Sequence, residues 1–360
     1  MARLKVLVID SPDRQASGPS SDSLGRQGDL MLHALLADLQ DLAAVELMPA
    51  LTPAHEASLP ETGASDTQAG AHLDARREPC RESRSESRFA SRFESCFESR
   101  FGAQFGARLR AADAVWPLAF ESAGWLEDLS RCILQHKRIL LGSAPGAVQA
   151  AASKLALARL LAEAGVATAA TYSPHAALPQ DGGAWVVKPD DGAGCLQTLL
   201  FSDRGAALAW IRASAANGHV LQPFVPGKPG SLSLICRDGA ARVLACNRQR
   251  VAMHDNRFHV LGTVVNGLAD DDGALERLAQ QVAAAIPSLW GYVGVDFVLT
   301  ARGAVVLDVN PRLTVAYAGL RASIDCNPAA LVLGLLQEPA AMPSAPGRRR
   351  PVNVDVGPPP

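Results

Sequence analysis

Short apolar runs alternate with helical patterns in the first part of the chain. Four runs have the length and composition of buried strands: residues 4–9, 45–48, 112–118 and 138–142. Apolar residues recur at helical spacing over residues 30–42, after a polar stretch rich in Ser, Gly and Pro, and a second helix is predicted at 125–134. Strands that alternate with helices predict a parallel α/β sheet.

The second part of the chain is predicted to contain more strands. A helix-rich stretch covers residues 143–165, and further helices are predicted at 204–217 and 271–286. The predicted strands lie at residues 185–188, 219–225, 231–236, 241–247, 258–264, 292–299 and 304–309. The last two strands flank the short turn Ala301–Gly303, so they are predicted to form a hairpin.

Residues 52–108 do not fit this pattern. They are rich in Thr, Ser, Glu, Pro and Gly, and then repeat a unit of Phe or Ser followed by Glu-Ser-Arg between residues 81 and 101. Loops of this length inside a compact domain are usually functional or disordered. We expect a disordered low-complexity insertion, and an Arg/Phe interaction arm is the alternative. The tail, residues 341–360, ends in three prolines and is also expected to be disordered.

Composition narrows the class of protein. The 360 residues carry 34 Lys and Arg against 36 Asp and Glu, so no basic excess indicates a nucleic acid or an anionic membrane as partner. No apolar run approaches the roughly 20 residues of a membrane helix, and the first residues lack a signal-peptide pattern. The seven cysteines form no close pairs. We therefore expect a cytoplasmic protein with reduced thiols.

An apolar strand that ends in a lysine runs directly into a glycine loop. Residues 185–195 are Trp-Val-Val-Lys-Pro-Asp-Asp-Gly-Ala-Gly-Cys. Glycines let backbone N–H groups approach phosphates closely, and Lys188 adds a point charge. The lysine precedes the glycines, so this is not the Walker pattern. The motif favours a phosphate site, and a plain strand followed by a turn is the alternative.

Oxygen ligands cluster on the predicted hairpin. Asp308 and Asn310 lie two residues apart and share one face of a strand, and pairing of the two strands can bring Asp296 to the same face. Two carboxylates and a carboxamide form an all-oxygen set that suits Mg²⁺ accompanied by phosphates. The alternative is that these residues only form turns at strand ends.

Five stretches in this order resemble the ATP-grasp superfamily. They are Ser153–Lys154, Val187–Gly194, Leu221–Gly227, Gly294–Phe297 and Leu307–Arg312. Three further stretches are similar to the tyramine–L-glutamate ligase group of methanofuran biosynthesis and its relatives in methylotrophic bacteria. These are Gly28–Met31 with Leu35–Leu39, Phe120–Gly124 and Asn310–Leu320. The resemblance covers nearly the whole chain except residues 52–108 and the tail.

The resemblance implies a mixed α/β (α+β) ATP-grasp fold. An N-terminal parallel α/β domain would cover residues 1–142, a small central domain over the nucleotide residues 143–225, and a C-terminal domain with the metal site residues 226–340. The implied reaction is an ATP-dependent carboxylate–amine ligation through an acyl phosphate, with glutamate as carboxylate and a tyramine- or tyrosine-like amine. A non-catalytic ATP-binding regulatory protein and an ATP-grasp kinase are the alternatives, and a homodimer is left open.

The resemblance also implies the site residues. The ATP-binding set is Lys154, Lys188, Asp191, Gly192, Ala193, Gly194, Gln222, Pro223, Phe224 and Val225. The set for Mg²⁺, or Mn²⁺ in its place, is Asp296, Asp308 and Asn310. The catalytic arginines, which would stabilise the charge on the transferring phosphoryl group, are Arg248 and Arg312. Arg248 has a surface-strand role as its alternative. Lys154 and Lys188 are two of only five lysines in a chain that otherwise uses arginine, which supports their roles independently.

Two positions depart from the superfamily pattern. The hinge commonly reads Gln-Glu-aromatic, but here Pro223 follows Gln222 and has no N–H, although it keeps its carbonyl. The metal glutamate is replaced by Asp308, which is one methylene shorter. Both changes bear on how tightly nucleotide and metal are held.

Overall fold

The computed structural model describes most of the chain. The described residues are 3–10, 19–52, 97–98, 101–180, 182–214, 216, 218–337, 341–347 and 349–357. Among them, no helix is both long and apolar enough to cross a membrane.

The first sheet is parallel and has four strands in the order β2-β1-β3-β4. Its strands are β1 (Leu4–Asp10), β2 (Val45–Leu47), β3 (Ala114–Leu118) and β4 (Ile139–Leu140). The helices of this part are α1 (Pro19–Gln40), α2 (Phe105–Ala111) and α3 (Trp125–Gln135), with a 3₁₀ turn at Ser122–Gly124. β3 is buried along its whole length, as a central parallel strand should be. The predicted parallel α/β sheet is confirmed.

Helix α1 begins eleven residues earlier than its apolar pattern predicted, at Pro19 and not at Leu30. Proline is tolerated in the first turn of a helix, because its missing N–H has no intrahelical partner there. The buried face of α1 includes Leu24, Gln27 and Met31. A polar Gln27 on this face interrupted the apolar periodicity, and the reason for it becomes clear at the cavity that it lines.

The second sheet is antiparallel and contains the remaining nine strands described. They are β5 (Trp185–Pro189), β6 (Leu199–Phe201), β7 (His219–Pro223), β8 (Lys228–Arg237), β9 (Ala240–His254), β10 (Arg257–Val265), β11 (Gly291–Thr300), β12 (Gly303–Asn310) and β13 (Val352–Asp355). The helices that accompany it are α4 (Pro145–Ala152), α5 (Lys154–Glu163), α6 (Arg204–Ala213), α7 (Ala274–Ala285), α8 (Tyr317–Ile324) and α9 (Pro328–Gly334).

One pairing joins the two predicted ATP-grasp subdomains into this single sheet. The strand order is β12-β11-β8-β9-β10-β6-β5-β7, and β10 pairs with β6 at Arg257 and Leu199. Backbone hydrogen bonds from Leu200 N to Asn256 O (2.8 Å) and from Phe258 N to Thr198 O (3.1 Å) extend this contact. The domain boundaries at residues 142, 225 and 340 stay a prediction.

The expected disorder of residues 52–108 is wrong at the C-terminal end of that segment. Phe97, Phe101 and Phe105 are buried, and their ring centroids lie 5.2–6.3 Å apart. Phe97 also meets the edge of Trp125 at 5.2 Å. The four-residue spacing that looked like a low-complexity repeat is helical spacing, and it places three rings on one side. Residues 53–96 lie outside the described part of the chain.

The expected disorder of the tail is also wrong over part of its length. Val352–Asp355 pairs antiparallel with Gly262–Val265 of β10. Val354 and Val356 are buried, at 7% and 2% exposure. The alternation of valine with polar residues is a strand pattern, which the proline and arginine content around it obscured. Residues 358–360 lie outside the described part.

Replacement of Phe97 by alanine tests this packing. We expect Phe97→Ala to lower the free energy of unfolding by about 3–5 kcal/mol, the range for removing a buried phenylalanine. Urea unfolding followed by circular dichroism measures it. Leu134→Ala is the control, because Leu134 is 45% exposed and its change should stay within ~0.5 kcal/mol. Equal stability of the two variants would show that Phe97 is not packed.

Candidate active site

A cavity of about 410 Å³ lies against one face of the antiparallel sheet and brings most of the predicted site residues together. Those that line it are Lys154, Lys188, Gly192, Ala193, Gly194, Gln222, Pro223, Phe224, Val225, Asp296, Asp308, Asn310 and Arg312. Asp191 and Arg248 do not line it. Helix α1 and the segment after β3 close the cavity from the parallel sheet, through Gln27, Met31 and Phe120.

Lys154 is fixed at the start of α5 by a network that the sequence did not reveal. Asp190 accepts hydrogen bonds from Ser153 Oγ at 2.7 Å and from Leu155 N at 2.9 Å, so it caps this helix from the glycine loop. Lys154 Nζ donates to Gly192 O at 2.6 Å and lies 3.2 Å from Asp308 Oδ2. The ammonium therefore links the glycine loop to the strand that carries the acidic residues.

Lys188 is the less satisfied of the two lysines. It is 8% exposed, lines the cavity, and forms no ion pair within the described residues. Burial, reinforced by the positive charge of Lys154, lowers its pKa to about 8. A buried ammonium without a bonded counter-charge is costly, so this position favours an anionic ligand.

The glycine loop lines the cavity with Gly192, Ala193 and Gly194. Gly194 has a φ of +64°, and a Cβ added there would lie 2.5 Å from Leu24 Cδ2 of α1. Only glycine fits this left-handed position without strain. Asp191 lies outside the cavity, where its Oδ2 accepts a hydrogen bond from Ala123 N at 3.2 Å. Asp191 therefore ties the loop to the segment after β3.

The predicted hinge is one wall of the cavity. Gln222 is 5% exposed and donates from Nε2 to Thr171 Oγ1 at 2.7 Å. Phe224 donates its N–H to Ala184 O at 2.8 Å, and its ring stacks against Phe258 at 6.5 Å. Phe224 is 39% exposed, which leaves an apolar ring at the cavity mouth. These features suit a flat base between apolar side chains.

The three predicted metal ligands lie on one face, as the hairpin predicted. Asp296 pairs directly with Asp308, and Gly294 pairs with Asn310, so the side chains at 296, 308 and 310 share the cavity side. Burial and the neighbouring Asp308 raise the pKa of Asp296 to about 6. Its two oxygens accept from Gln249 Nε2 at 2.7 Å and from Asn310 Nδ2 at 3.1 Å.

Two of these three residues fit a divalent cation as they stand. Asp296 and Asp308 offer paired carboxylates of the hard oxygen type that Mg²⁺ prefers. Asn310 turns its amide nitrogen to Asp296 and its Oδ1 to Arg312 Nη2 at 3.0 Å, so it would need to rotate its amide to bind a cation. Among the described residues, no group of three or more His, Cys, Asp or Glu residues is arranged to hold a metal ion, so a third protein ligand here would be the Asn310 oxygen.

The two predicted arginines have different positions. Arg312 is 9% exposed and lines the cavity beside Asn310. Arg248 is exposed on β9 opposite Gly230, whereas its neighbour Gln249 lines the cavity and holds Asp296. Successive residues of a strand face opposite sides. This position favours the surface-strand alternative for Arg248 over a catalytic role.

Sequence reasoning missed Asp190 and Gln249. Asp190 was within the quoted glycine motif, and its contact with the first turn of α5, 35 residues earlier in the chain, was visible only through the fold. Gln249 directly follows Arg248, which the sequence analysis favoured because arginine is charged. Burial and then Asp296 raise the pKa of Cys195, at the end of the glycine loop, to about 11, which favours a structural role over a nucleophilic one.

Family models agree with this architecture. A pre ATP-grasp 3 domain matches residues 74–148, and an ATP-grasp domain matches residues 151–316. The parallel sheet, the antiparallel sheet and the cavity between them have the ATP-grasp arrangement. The chain therefore has the ATP-grasp fold, as its motifs predicted.

Solved structures show the same fold at low identity. An ATP-grasp superfamily protein from Archaeoglobus fulgidus has a TM-score of 0.64 at 20% identity, covering 98% of this chain and 92% of that one. An L-amino acid ligase from Bacillus licheniformis has 0.57 at 15%, covering 92% and 74%. A D-alanine–D-alanine ligase from Bacillus anthracis complexed with ATP has 0.53 at 14%, covering 86% of both chains. No curated protein matches the sequence.

A substitution in the glycine loop tests whether it contacts the nucleotide. We expect Gly194→Ala to weaken ATP binding roughly 10-fold, because alanine at a left-handed φ costs about 1–2 kcal/mol and displaces the loop. Isothermal titration with ATP and Mg²⁺ measures the change. Gly146→Ala is the matched control, since nothing lies within 4 Å of its added Cβ and its φ is ordinary. Wild-type affinity of Gly194→Ala would contradict the assignment.

Proposed function

We propose that this protein is an ATP- and Mg²⁺-dependent carboxylate–amine ligase that acts through an acyl phosphate. The carrying observation is Lys188, a buried ammonium without an ion-pair partner among the described residues, beside Lys154 and opposite two carboxylates. A polyphosphate accompanied by a divalent cation would balance both sets of charges, because phosphate oxygens bind the two ammonium groups and the cation binds the two carboxylates.

The residues divide the chemistry between them. Lys154, Lys188 and the backbone of Gly192–Gly194 would hold the triphosphate, and the hinge would hold the base. The substrate carboxylate attacks the γ-phosphorus and releases ADP. The amine then attacks the acyl carbon, phosphate leaves, and the amine loses a proton. Arg312 stabilises the negative charge at both steps, and most of the rate gain comes from positioning. When bound between Asp296 and Asp308, Mg²⁺ would neutralise phosphate charge.

We further propose glutamate as the carboxylate substrate and a tyramine- or tyrosine-like amine as the acceptor, in a methanofuran-type cofactor pathway. The motif resemblance supports this choice. The cavity adds support, because Met31, Phe120, Val315 and Ala316 give its side away from the hinge an apolar lining suited to an aromatic ring. Two structural neighbours are named as amino acid ligases, which agrees with an amino acid substrate.

The two departures from the superfamily pattern are compatible with activity. Pro223 keeps its carbonyl, and the neighbouring N–H of Phe224 is already used by Ala184. Asp308 Oδ2 lies 3.2 Å from Lys154 Nζ. The shorter side chain of aspartate therefore still reaches the lysine that would bind phosphate. An intact set of Lys154, Lys188 and Asp296 argues against a degenerate regulatory protein.

A product screen tests the proposal. The purified protein is incubated with ATP, Mg²⁺, glutamate and a panel of amines, and mass spectrometry detects the products. We expect ADP, phosphate and an amide in equal amounts, with an aromatic amine preferred. A phosphorylated product without amide would indicate a kinase, and no ADP with any amine would indicate a regulatory protein.

Substitution of Lys188 tests the phosphate role. We expect Lys188→Ala to lower ATP-dependent turnover by at least ~10²-fold, the scale for losing a group that stabilises phosphoryl charge. Lys188→Arg should fail as well, because a planar guanidinium does not replace a buried point charge. Steady-state ADP release measures both. The control is Lys228→Ala, an exposed lysine outside the cavity, which should keep wild-type kinetics. Near-normal turnover of Lys188→Ala would remove the assignment.

A further inference from the structure

The segment after β3 contacts the candidate site from the parallel sheet. Phe120 lies beside the Arg312 guanidinium, with its ring centroid 4.6 Å from the guanidinium carbon. Glu121 Oε2 accepts a hydrogen bond from Arg312 Nε at 2.8 Å. The two charged side chains are 191 positions apart in sequence and each is 9% exposed. The proposed reaction assigns no role to Glu121.

The ion pair is not the best pairing that its partners allow. Glu121 Oε1 is buried and has no hydrogen-bond partner among the described residues. Arginine and a carboxylate commonly form two parallel hydrogen bonds, and an unpaired buried oxygen costs free energy. Here Arg312 forms only one hydrogen bond with Glu121, and its guanidinium is not oriented for two parallel bonds.

That orientation is fixed from three directions. Besides Glu121, Arg312 donates from Nη1 to Leu313 O at 3.0 Å and from Nη2 to Asn310 Oδ1 at 3.0 Å. A guanidinium has five N–H groups, so these three bonds leave one donor on each terminal nitrogen. Arg312 lines the cavity, and neither donor has a hydrogen-bond partner among the described residues. A second, parallel bond to Glu121 would use one of them.

We propose that Glu121 is a positioning residue that holds Arg312 by Nε alone, so that both terminal nitrogens serve the transferring phosphoryl group or acyl phosphate. The inference rests on the proposed function. The same segment also contacts the glycine loop, because Ala123 N donates to Asp191 Oδ2 at 3.2 Å. The segment after β3 thus positions Arg312 and the glycine loop relative to each other.

Kinetics of two single variants and their double variant test the proposal. We expect Glu121→Gln to lower kcat roughly 10- to 100-fold, the scale of a small displacement of a catalytic group, with the KM for ATP within ~3-fold of wild type. Arg312→Lys should lose at least as much. In Glu121→Gln/Arg312→Lys the glutamate change should add little, because Glu121 acts through the arginine. Effects that multiply in the double variant would overturn the proposal.

The matched control is Asp38→Asn. Asp38 is a buried carboxylate that also holds an arginine, Arg321, at 3.2 Å, but it lies between α1 and α8 and does not line the cavity. Its loss should lower the melting temperature and leave kcat within ~2-fold of wild type. Glu121→Asp is a second variant at the site, which keeps the charge and shortens the reach, in case Glu121→Gln does not fold. An equal fall in kcat for Asp38→Asn would show that the effect is general destabilisation.

Binding of MgADP with vanadate, a phosphoryl mimic, gives a readout that needs no ligation. We expect wild type to bind MgADP more tightly with vanadate than without it. Glu121→Gln should lose roughly 10-fold of the vanadate complex alone, because only that complex uses the arginine donors. A wild type that binds vanadate but forms no amide would remove the ligase proposal and keep the role of Glu121. Absence of a vanadate effect in wild type, or equal affinity of Glu121→Gln, would overturn that role.

Discussion

The central constraint in this structure is the burial of charged side chains that the protein pairs only in part. Lys154 is bound to Gly192 O and Asp308, whereas Lys188 beside it has no ion-pair partner in the described part of the chain. On the facing strands, the pKa of Asp296 is raised to about 6 by burial and by Asp308. Charges in a medium of low dielectric interact strongly and are costly when unpaired. The arrangement is therefore suited to a ligand that carries phosphate anions and a cation together.

The antiparallel sheet provides this arrangement because it is continuous from the hinge to the acidic strands. β7 carries Gln222 at one end of the strand order, and β12 carries Asp308 at the other. The contact between β10 and β6 connects the two parts, so the cavity lies against one curled sheet. Strand geometry then decides which side chains face it, and Gln249 holds Asp296 where the more basic Arg248 points away.

The parallel sheet contributes more than a support for the ATP-grasp domain. Leu24 of α1 lies against Gly194 and leaves no room for a larger residue there, and the polar Gln27 faces the cavity. The segment after β3 reaches Arg312 through Glu121 and the glycine loop through Ala123. These two hydrogen bonds join residues 191 and 68 positions apart in sequence, so both sheets contribute to the site.

The sequence by itself determined the elements and the chemical groups that lie within a few residues of each other. The strand before Lys188, the glycine loop and the pair Asp308 and Asn310 followed from local periodicity and residue type, and so did the parallel character of the first sheet. The tertiary structure decided which side of β9 faces the cavity, because that depends on long-range strand register, and a shift of one residue turns every side chain over. It also decided that Phe97 and Val354 are buried. Their local sequence resembles disordered segments, and their burial depends on partners far away in the chain, which no local pattern contains.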